Sequence, residues 1–355
     1  MVVPLARHLG LPTRVHWARI FEFYWAGLGP RSILYALGFT VAALPVRETL
    51  GEFWARYRRE KMRWVLVLVF LLVLTRLLWF TIAIVLTVDA LFVVELAERW
   101  KPHAGQFRAK AASVLLATAY LFVGVTLVVM YNDIVVASRF PTAYDSILNR
   151  ADTWILWGRT VPEIAHKMFA ILPAPVLKFL DFAYFQMFLV VGGALLISAF
   201  DSYGGGLRFV GSCLTAYYLA LVIFYLWPTY GPYVFCNTHA ATIPDYLTAY
   251  AFQVSGMPNL RAIMLRQTQY LGTGYYIAFP SLHVGLPVIA MWFMRCWRPV
   301  FWFLAAYCCL IAATLVILEW HYALDIPGGI AVAALAVAMT GGREKRAGGN
   351  SAPIF

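Results

Sequence analysis

The chain predicts an all-α membrane protein: a polytopic helix bundle with a six-helix core, interfacial helices on the extracytoplasmic side and an N-terminal apolar extension. Three observations carry that expectation. Of 355 residues, 62% are hydrophobic and 13% charged, whereas a soluble domain carries about 25% charged residues; mean hydropathy is +0.73. The apolar runs are long and lack the alternating ten-residue pattern of a membrane barrel. Aromatic residues reach 16%, and many Trp and Tyr lie near the ends of apolar runs, where an interfacial belt needs them.

Taken in order, residues 1–111 form the extension. Runs at 32–47 and 64–90 are apolar, but Arg56, Arg58, Arg59, Lys61 and Arg63 stand between them. Two spans there would put that basic stretch outside, against the orientation bias of Lys and Arg. A non-spanning first run, or a hairpin within 64–97 around Arg76, removes the conflict, and both remain open. Six spans follow at 112–135, 181–200, 208–227, 283–297, 300–318 and 325–341, each close to the length needed to cross about 30 Å at roughly 1.5 Å per residue. Residues 136–180 hold Tyr144-Asp145, Asp152, Trp154, Trp157-Gly158 and several prolines, and read as short amphipathic helices lying along the interface. Residues 228–282 are loop-rich and polar, with Pro232, Pro244, Gly256, Pro258, Gly272 and Gly274. Segments this long are usually functional, so these two are expected to form the lid and walls of a site. The division is therefore 1–111, a core at 112–341 and a cytoplasmic tail at 342–355.

Charge sets the expected orientation. Arg343, Lys345 and Arg346 follow the last span, Arg295 and Arg298 lie between two spans, Arg208 follows a Gly204-Gly205-Gly206 turn, and Arg99, Lys101, Arg108 and Lys110 precede the span at 112. If all six segments cross, these four clusters share one side, which the positive-inside rule makes cytoplasmic. The expected location is a multi-pass protein of a bacterial inner membrane. The net charge of +11 fits cytoplasmic loops touching anionic lipid; no basic stretch carries a nucleic-acid-binding fold, so nucleic acid is not an expected partner. Cys213, Cys236, Cys296, Cys308 and Cys309 show neither metal spacing nor a disulfide framework. No short apolar stretch with a small-residue cleavage site opens the chain, so no removable signal peptide is expected.

Two motifs carry the chemistry. Phe279-Pro280-Ser281-Leu282-His283 and Glu319-Trp320-His321-Tyr322-Ala323-Leu324-Asp325 put two histidines and a carboxylate beside membrane-length runs, where ionisable side chains are expensive and usually functional. One crossing inward and one outward bring both histidines to one membrane face, opposite the basic clusters. His321 and Asp325 are four apart, so on a helix they share a face, and the carboxylate can hold one imidazole nitrogen while the other attacks. Alone, that spacing is also that of a structural pair; the matched Pro-Ser-Leu-His motif favours catalysis. Two histidines and a carboxylate would also suffice for a metal, but no further ligand stands nearby in the sequence. His166 and His239 read as interfacial or loop histidines.

Pro280-Ser281-Leu282-His283 and His321 with Asp325 resemble the type 2 phosphatidic-acid phosphatase superfamily, which includes lipid phosphate phosphatases and vanadium haloperoxidases. Tyr144-Asp145 through Asp152, Leu156-Trp157-Gly158, Trp227-Pro228-Thr229-Tyr230-Gly231-Pro232 and Phe279 through Gly285 look more like its inositolphosphotransferase branch, related to inositol phosphorylceramide synthase. The resemblance covers roughly 112–341. It implies that His321 forms a phosphohistidine, that Asp325 orients it, that His283 protonates the leaving oxygen, and that Ser281 helps hold phosphate oxygens, with Pro280 and Tyr230 at the substrate. It implies metal-free chemistry, no cofactor, and membrane lipids as partners: a phospholipid or polyprenyl phosphate, with ceramide or another lipid alcohol as acceptor.

The sequence also departs from the superfamily pattern. Where that pattern has serine and arginine before the nucleophile, this chain has Thr314 and Leu315, and the upstream lysine–arginine signature is not legible. Other cations must meet the phosphate: Arg261 and Arg266, or Arg150, Arg159 and Lys167. The expected activity is transfer of a phosphoryl-linked headgroup from a phospholipid to a lipid alcohol. The alternatives are hydrolysis of phosphatidate or a polyprenyl (di)phosphate and, of another class, non-catalytic lipid binding or transport.

Overall fold

The computed structural model describes residues 2–12, 104–201, 203–236, 243–272 and 274–340. The runs at 32–47 and 64–90, the basic stretch between them, His239 and the tail lie outside these residues. Twelve helices and no strand occur among the described residues: α1 Val2–His8, α2 Ala104–Arg139, α3 Asp145–Ile155, α4 Val161–Ile171, α5 Ala174–Phe185, α6 Met187–Asp201, α7 Tyr203–Leu226, α8 Pro232–Phe235, α9 Thr248–Met264, α10 Leu282–Phe293, α11 Arg298–Ile317 and α12 Asp325–Thr340.

Helix α7 occupies the centre, packed on α2, α6, α10 and α12. Its buried side, with Phe209, Cys213, Ala216 and Ala220, meets Val128 of α2, Ile289 and Ala290 of α10, and Ala333 and Ala336 of α12 in one apolar cluster. Small residues matter here because lipid supplies no hydrophobic drive between helices, and close backbone approach must do the work. Gly285 and Gly329 show it most: a Cβ on Gly285 would sit 3.0 Å from the Gly329 carbonyl, and one on Gly329 would strike the Ser281 carbonyl. Those glycines let α10 and α12 touch through their backbones, and the contact brings the start of α10 beside the start of α12.

Among the described residues, α2 (over Leu116–Arg139), α7 and α11 are long and apolar enough to cross a membrane. Helices α5 and α6 form a fourth span if counted as one, bent by 44°. The outward faces suit lipid: Leu116, Tyr120, Val123 and Leu127 of α2 recur at helical spacing and are exposed, as are Trp302 and Phe303 of α11.

Two expected spans change shape. The run at 181–200 is broken after Phe185, so its first residues belong to α5. The run at 283–297 gives a helix of only 12 residues, about 18 Å at roughly 1.5 Å per residue. It ends because residues 294–297 are spent on a turn, held by Trp297 N–H to Met294 (2.8 Å) and by Arg295 Nη1 to the Trp292 carbonyl (2.9 Å). The segment 228–282, expected as loop, holds the 17-residue helix α9, despite Gly256 and Pro258. Its first amides are satisfied from another helix: the buried Asp181 of α5 accepts from Thr248 N (2.7 Å) and Ala249 N (2.9 Å), which offsets the orphan donors of a helix start.

The expected amphipathic helices of 136–180 are present as α3, α4 and the start of α5. A reciprocal capping box starts α4, with Thr160 and Glu163 each accepting from the other's amide. The ends of the bundle can be told apart by contacts. Phe209 at the start of α7 packs on Phe293 at the end of α10 (5.3 Å), and Ser212 hydrogen-bonds Thr340 at the end of α12. Arg208, Arg295 and Arg298 therefore lie at one end, and His283, His321 and Asp325 at the other. The histidine end also carries Arg139, Arg150, Arg159, Lys167, Lys178, Arg261 and Arg266, dispersed over α2 to α5 and α9 with the turn after it.

Candidate active site

The turn between α11 and α12 carries the first histidine. After Leu318 caps α11, Glu319 takes a left-handed φ of 57°, and the Trp320 and His321 amides both return to the Leu315 carbonyl (3.1 and 3.3 Å). His321 lies in the turn rather than on a helix face, because α12 begins only at Asp325; the expected i, i+4 pairing forms across the turn. Its Nδ1 is 3.0 Å from Asp325 Oδ2 and 2.8 Å from the Ala278 carbonyl. A carbonyl can only accept, so Nδ1 carries a hydrogen, and in the neutral ring Nε2 is the nitrogen with the lone pair. The Ala278 carbonyl is itself placed by pairing of two loops, Ala278 N to Thr229 O (3.0 Å) and Phe279 N to Thr229 Oγ1 (3.1 Å).

The second histidine enters from α10. The rings of His283 and His321 stand edge to face with centroids 5.6 Å apart. Tyr184 of α5 stacks on His283 at 4.4 Å and on Trp320 at 5.4 Å, and Tyr233 of α8 closes on Trp320 edge-on at 5.2 Å. Tyr184 thus covers His283, and is itself backed by Trp320 and Tyr233. Buried Ser281 donates its amide to the Asp325 carbonyl (3.1 Å). Its Oγ, like Asp325 Oδ1 and Trp320 Nε1, is buried without a hydrogen-bond partner among the described residues. Pro280, also buried, follows a cis peptide bond. No side-chain cap covers the start of α10, where first-turn amides have no acceptor within the helix.

A third element supports the turn. Helix α3 buries Asp145, Leu148 and Asp152 on one face and exposes Ile147, Trp154 and Ile155 elsewhere, with Trp157 exposed just beyond its end. Asp152 accepts from the Ala323 amide and from Leu324 N at 3.0 Å. Asp145 accepts from Tyr230 N (3.0 Å), Gly231 N (2.8 Å) and the Tyr322 hydroxyl (3.1 Å). Gly231 is required beside it: its φ is 97°, and a Cβ there would lie 2.6 Å from the Trp320 carbonyl. Burial pushes both carboxyls up to about 6, against the hydrogen bonds they accept, which hold them down.

A family model of the PAP2 superfamily matches residues 157–339, just over half of the 355. The chain belongs to the PAP2 superfamily. No curated protein and no solved structure matches it. PAP2 superfamily membership supports a phosphatase- or phosphotransferase-type enzyme acting on membrane lipids. The matched segment holds Ser281, His283, His321 and Asp325; Asp145 and Asp152 of α3 precede it.

The other residues expected at the site are placed differently. Tyr230 reaches it through its backbone, while its ring packs edge-on to Phe224 (5.5 Å) in a second apolar cluster. Arg261 is exposed on the last turn of α9. Arg266, exposed just beyond, points an Nη2 at the Ala137 carbonyl near the end of α2 (3.5 Å). Arg150, Arg159, Lys167 and His166 are exposed. Where the PAP2 superfamily pattern has arginine, Leu315 is fully buried among Ile311, Leu318 and Val284. Among the described residues no Lys or Arg hydrogen-bonds to His283, His321 or Asp325, and no group of three His, Cys, Asp or Glu is placed to hold a metal ion. Tyr184, Tyr233, Trp320 and the Ala278 carbonyl were not singled out as site residues by sequence. Only Asp145 and Asp152 left a trace: two acids seven apart on the buried stripe of an amphipathic helix.

Proposed function

We propose that this chain is an integral-membrane phosphotransferase that passes a phosphoryl-linked headgroup from a phospholipid to a lipid alcohol through a phosphohistidine on His321. One observation carries the reading: Nδ1 of His321 is committed to Asp325 and the Ala278 carbonyl, so the nitrogen the ring can offer as nucleophile is Nε2. In the first step Nε2 attacks phosphorus, the bond to the leaving lipid oxygen breaks, and protonated His283 gives that oxygen its proton. In the second, the acceptor hydroxyl attacks phosphorus, the N–P bond breaks, and His283 takes the hydroxyl proton. Asp325 stabilises the charge that develops on His321.

Phosphoryl transfer asks mainly for positioning and charge stabilisation. Without an arginine at position 315, the negative oxygens are met by the Ser281 hydroxyl, by the free amides and positive dipole end of α10, and by His283 when protonated. Arg261 and Arg266 meet the headgroup at the rim. The inositolphosphotransferase-like version of this reading is supported by the Trp227–Pro232 and Phe279–Gly285 segments, which form adjoining walls of the site.

The test is incubation of the purified protein with fluorescent phosphatidylinositol, phosphatidate and polyprenyl phosphate, with and without ceramide or diacylglycerol. A new phospholipid that appears only with the lipid alcohol is expected. Release of inorganic phosphate irrespective of acceptor would replace transfer by hydrolysis, and no turnover of any substrate would favour lipid binding without catalysis.

The histidine end is assigned to the extracytoplasmic face of a bacterial inner membrane, with Arg208, Arg295 and Arg298 inside. In a variant lacking its own cysteines, Gln267→Cys should react with a membrane-impermeant thiol reagent in intact cells, and Arg346→Cys only after permeabilisation. The reverse pattern would invert the orientation.

A further inference from the structure

Among the described residues no hydrogen bond or ring contact joins helix α3 to either histidine, yet two of its carboxylates hold the turn that carries His321. We infer that Asp145 and Asp152 are positioning residues that fix the 321–325 turn in attack geometry; the inference rests on the reading of His321 as nucleophile.

The turn has a problem that its own residues solve only in part. His321 and Asp325 must be held rigidly, but between them run three amides in a region where Tyr322 is fully buried. A buried amide without an acceptor costs about 1–3 kcal/mol, and the turn can escape that cost by rotating the amides toward solvent, which would carry the imidazole with it. Asp325 Oδ2 takes the Tyr322 amide (2.9 Å) as well as His321 Nδ1. The next two amides, Ala323 and Leu324, both go to Asp152, one to each oxygen. Every amide from Tyr322 to Leu324 therefore ends on a buried carboxylate.

Asp145 closes the frame from the other side. It joins the Tyr322 hydroxyl to the Tyr230 and Gly231 amides. That loop in turn accepts the Ala278 amide through the Thr229 carbonyl, and Ala278 supplies the carbonyl that fixes the tautomer of His321. The two sides of the imidazole clamp, Asp325 and Ala278, are thus each tied to α3. Both aspartates are buried, at 1% and 0% exposure, so water does not substitute for them. An attack geometry displaced by about 1 Å can cost a hundredfold in rate, which is the scale on which such a frame acts.

Asp152→Asn and Asp145→Asn keep shape but turn an acceptor oxygen into a donor facing an amide or hydroxyl. Each is assayed beside wild type and His321→Ala, with the fluorescent substrate best turned over in the panel above. The expected result is kcat lower by about ten- to a hundredfold, KM within about twofold, and a thermal unfolding midpoint lowered by a few degrees because a buried amide or hydroxyl loses its acceptor, with the protein still folded at the assay temperature. Unchanged kcat in a folded Asp152→Asn protein would overturn the inference, as would a fall in kcat no larger than the fall in folded fraction. If Asp145→Asn does not fold, Tyr322→Phe decides for it: it removes only the hydroxyl donor to Asp145 and should lower kcat severalfold at constant KM, and an unchanged kcat would overturn the role of Asp145. If Asp152→Asn does not fold, Asp152→Glu decides for it: it keeps the charge but displaces the two oxygens that hold the Ala323 and Leu324 amides, and an unchanged kcat would overturn the role of Asp152. The two readings separate cleanly, since an active His321→Ala removes the nucleophile assignment whatever the aspartates do, whereas an inactive His321→Ala beside fully active Asn variants removes only the positioning role.

Discussion

At the end of the bundle where α7 begins, Phe209, Cys213 and Ala216 bury themselves against α6, α10 and α12 in a cluster that is almost wholly apolar. At the other end, the buried groups include Asp145, Asp152, Asp181, Ser281, Glu319, His321 and Asp325. The first region is held by shape and close approach, and the second by carboxylates that accept amides of neighbouring turns. Apolar packing is non-directional, so it can set the spacing of helices but not the orientation of an imidazole. Hydrogen bonds are directional and costly to leave unmade when buried. The molecule uses each where its property is needed.

The largest way to break that contrast is His321→Ala. Loss of a nucleophile should lower turnover by at least about a thousandfold, while the apolar end keeps the protein folded; a melt of the purified variant beside its activity checks both. Near-full activity would remove the nucleophile assignment.

Gly329→Val acts the opposite way. The new side chain meets the Ser281 carbonyl, and overpacking of this kind costs about 1–3 kcal/mol. The unfolding midpoint in detergent should fall by several degrees, and activity should fall with it because Ser281 and Asp325 are parted. A midpoint equal to that of wild type would show that the backbone contact between α10 and α12 is not needed for the fold.

The smallest effect is one of pH. Asp145 and Asp152 have folded-state pKa values of about 6, above the ordinary 3.8. For a group raised in this sense the stabilising contribution is complete below the unfolded value and is lost as pH rises through the folded one. Between about pH 4 and 6 these two groups therefore make the protein less stable as pH rises. Asp145→Asn and Asp152→Asn should each flatten that part of the curve of unfolding midpoint against pH, and an identical slope in the variants would assign the dependence to other groups.

How much was legible follows the same division. Hydropathy alone located α2, α7 and α11, since a long apolar run in a helix has no other stable disposition than lipid or a bundle. It misplaced the limits of α5, α6 and α10, whose ends depend on turn hydrogen bonds, and it read α9 as loop because Gly256 and Pro258 mask a helix that Asp181 caps from a distant element. Pro280-Ser281-Leu282-His283 and His321 with Asp325 were readable because their chemistry is written in residue type and spacing. That His321 sits in a turn, that Ala278 shares its Nδ1, and that Tyr184 stacks on His283 were not.

By itself, then, the order of residues determined the helical membrane class and the two histidine motifs, because hydrophobicity and local spacing are properties of the chain. Only the tertiary structure decided which groups hold those motifs. The partners of the 321–325 turn stand as far as 177 residues away in sequence, and directional contacts between such distant segments exist only once the bundle has brought them within hydrogen-bonding reach.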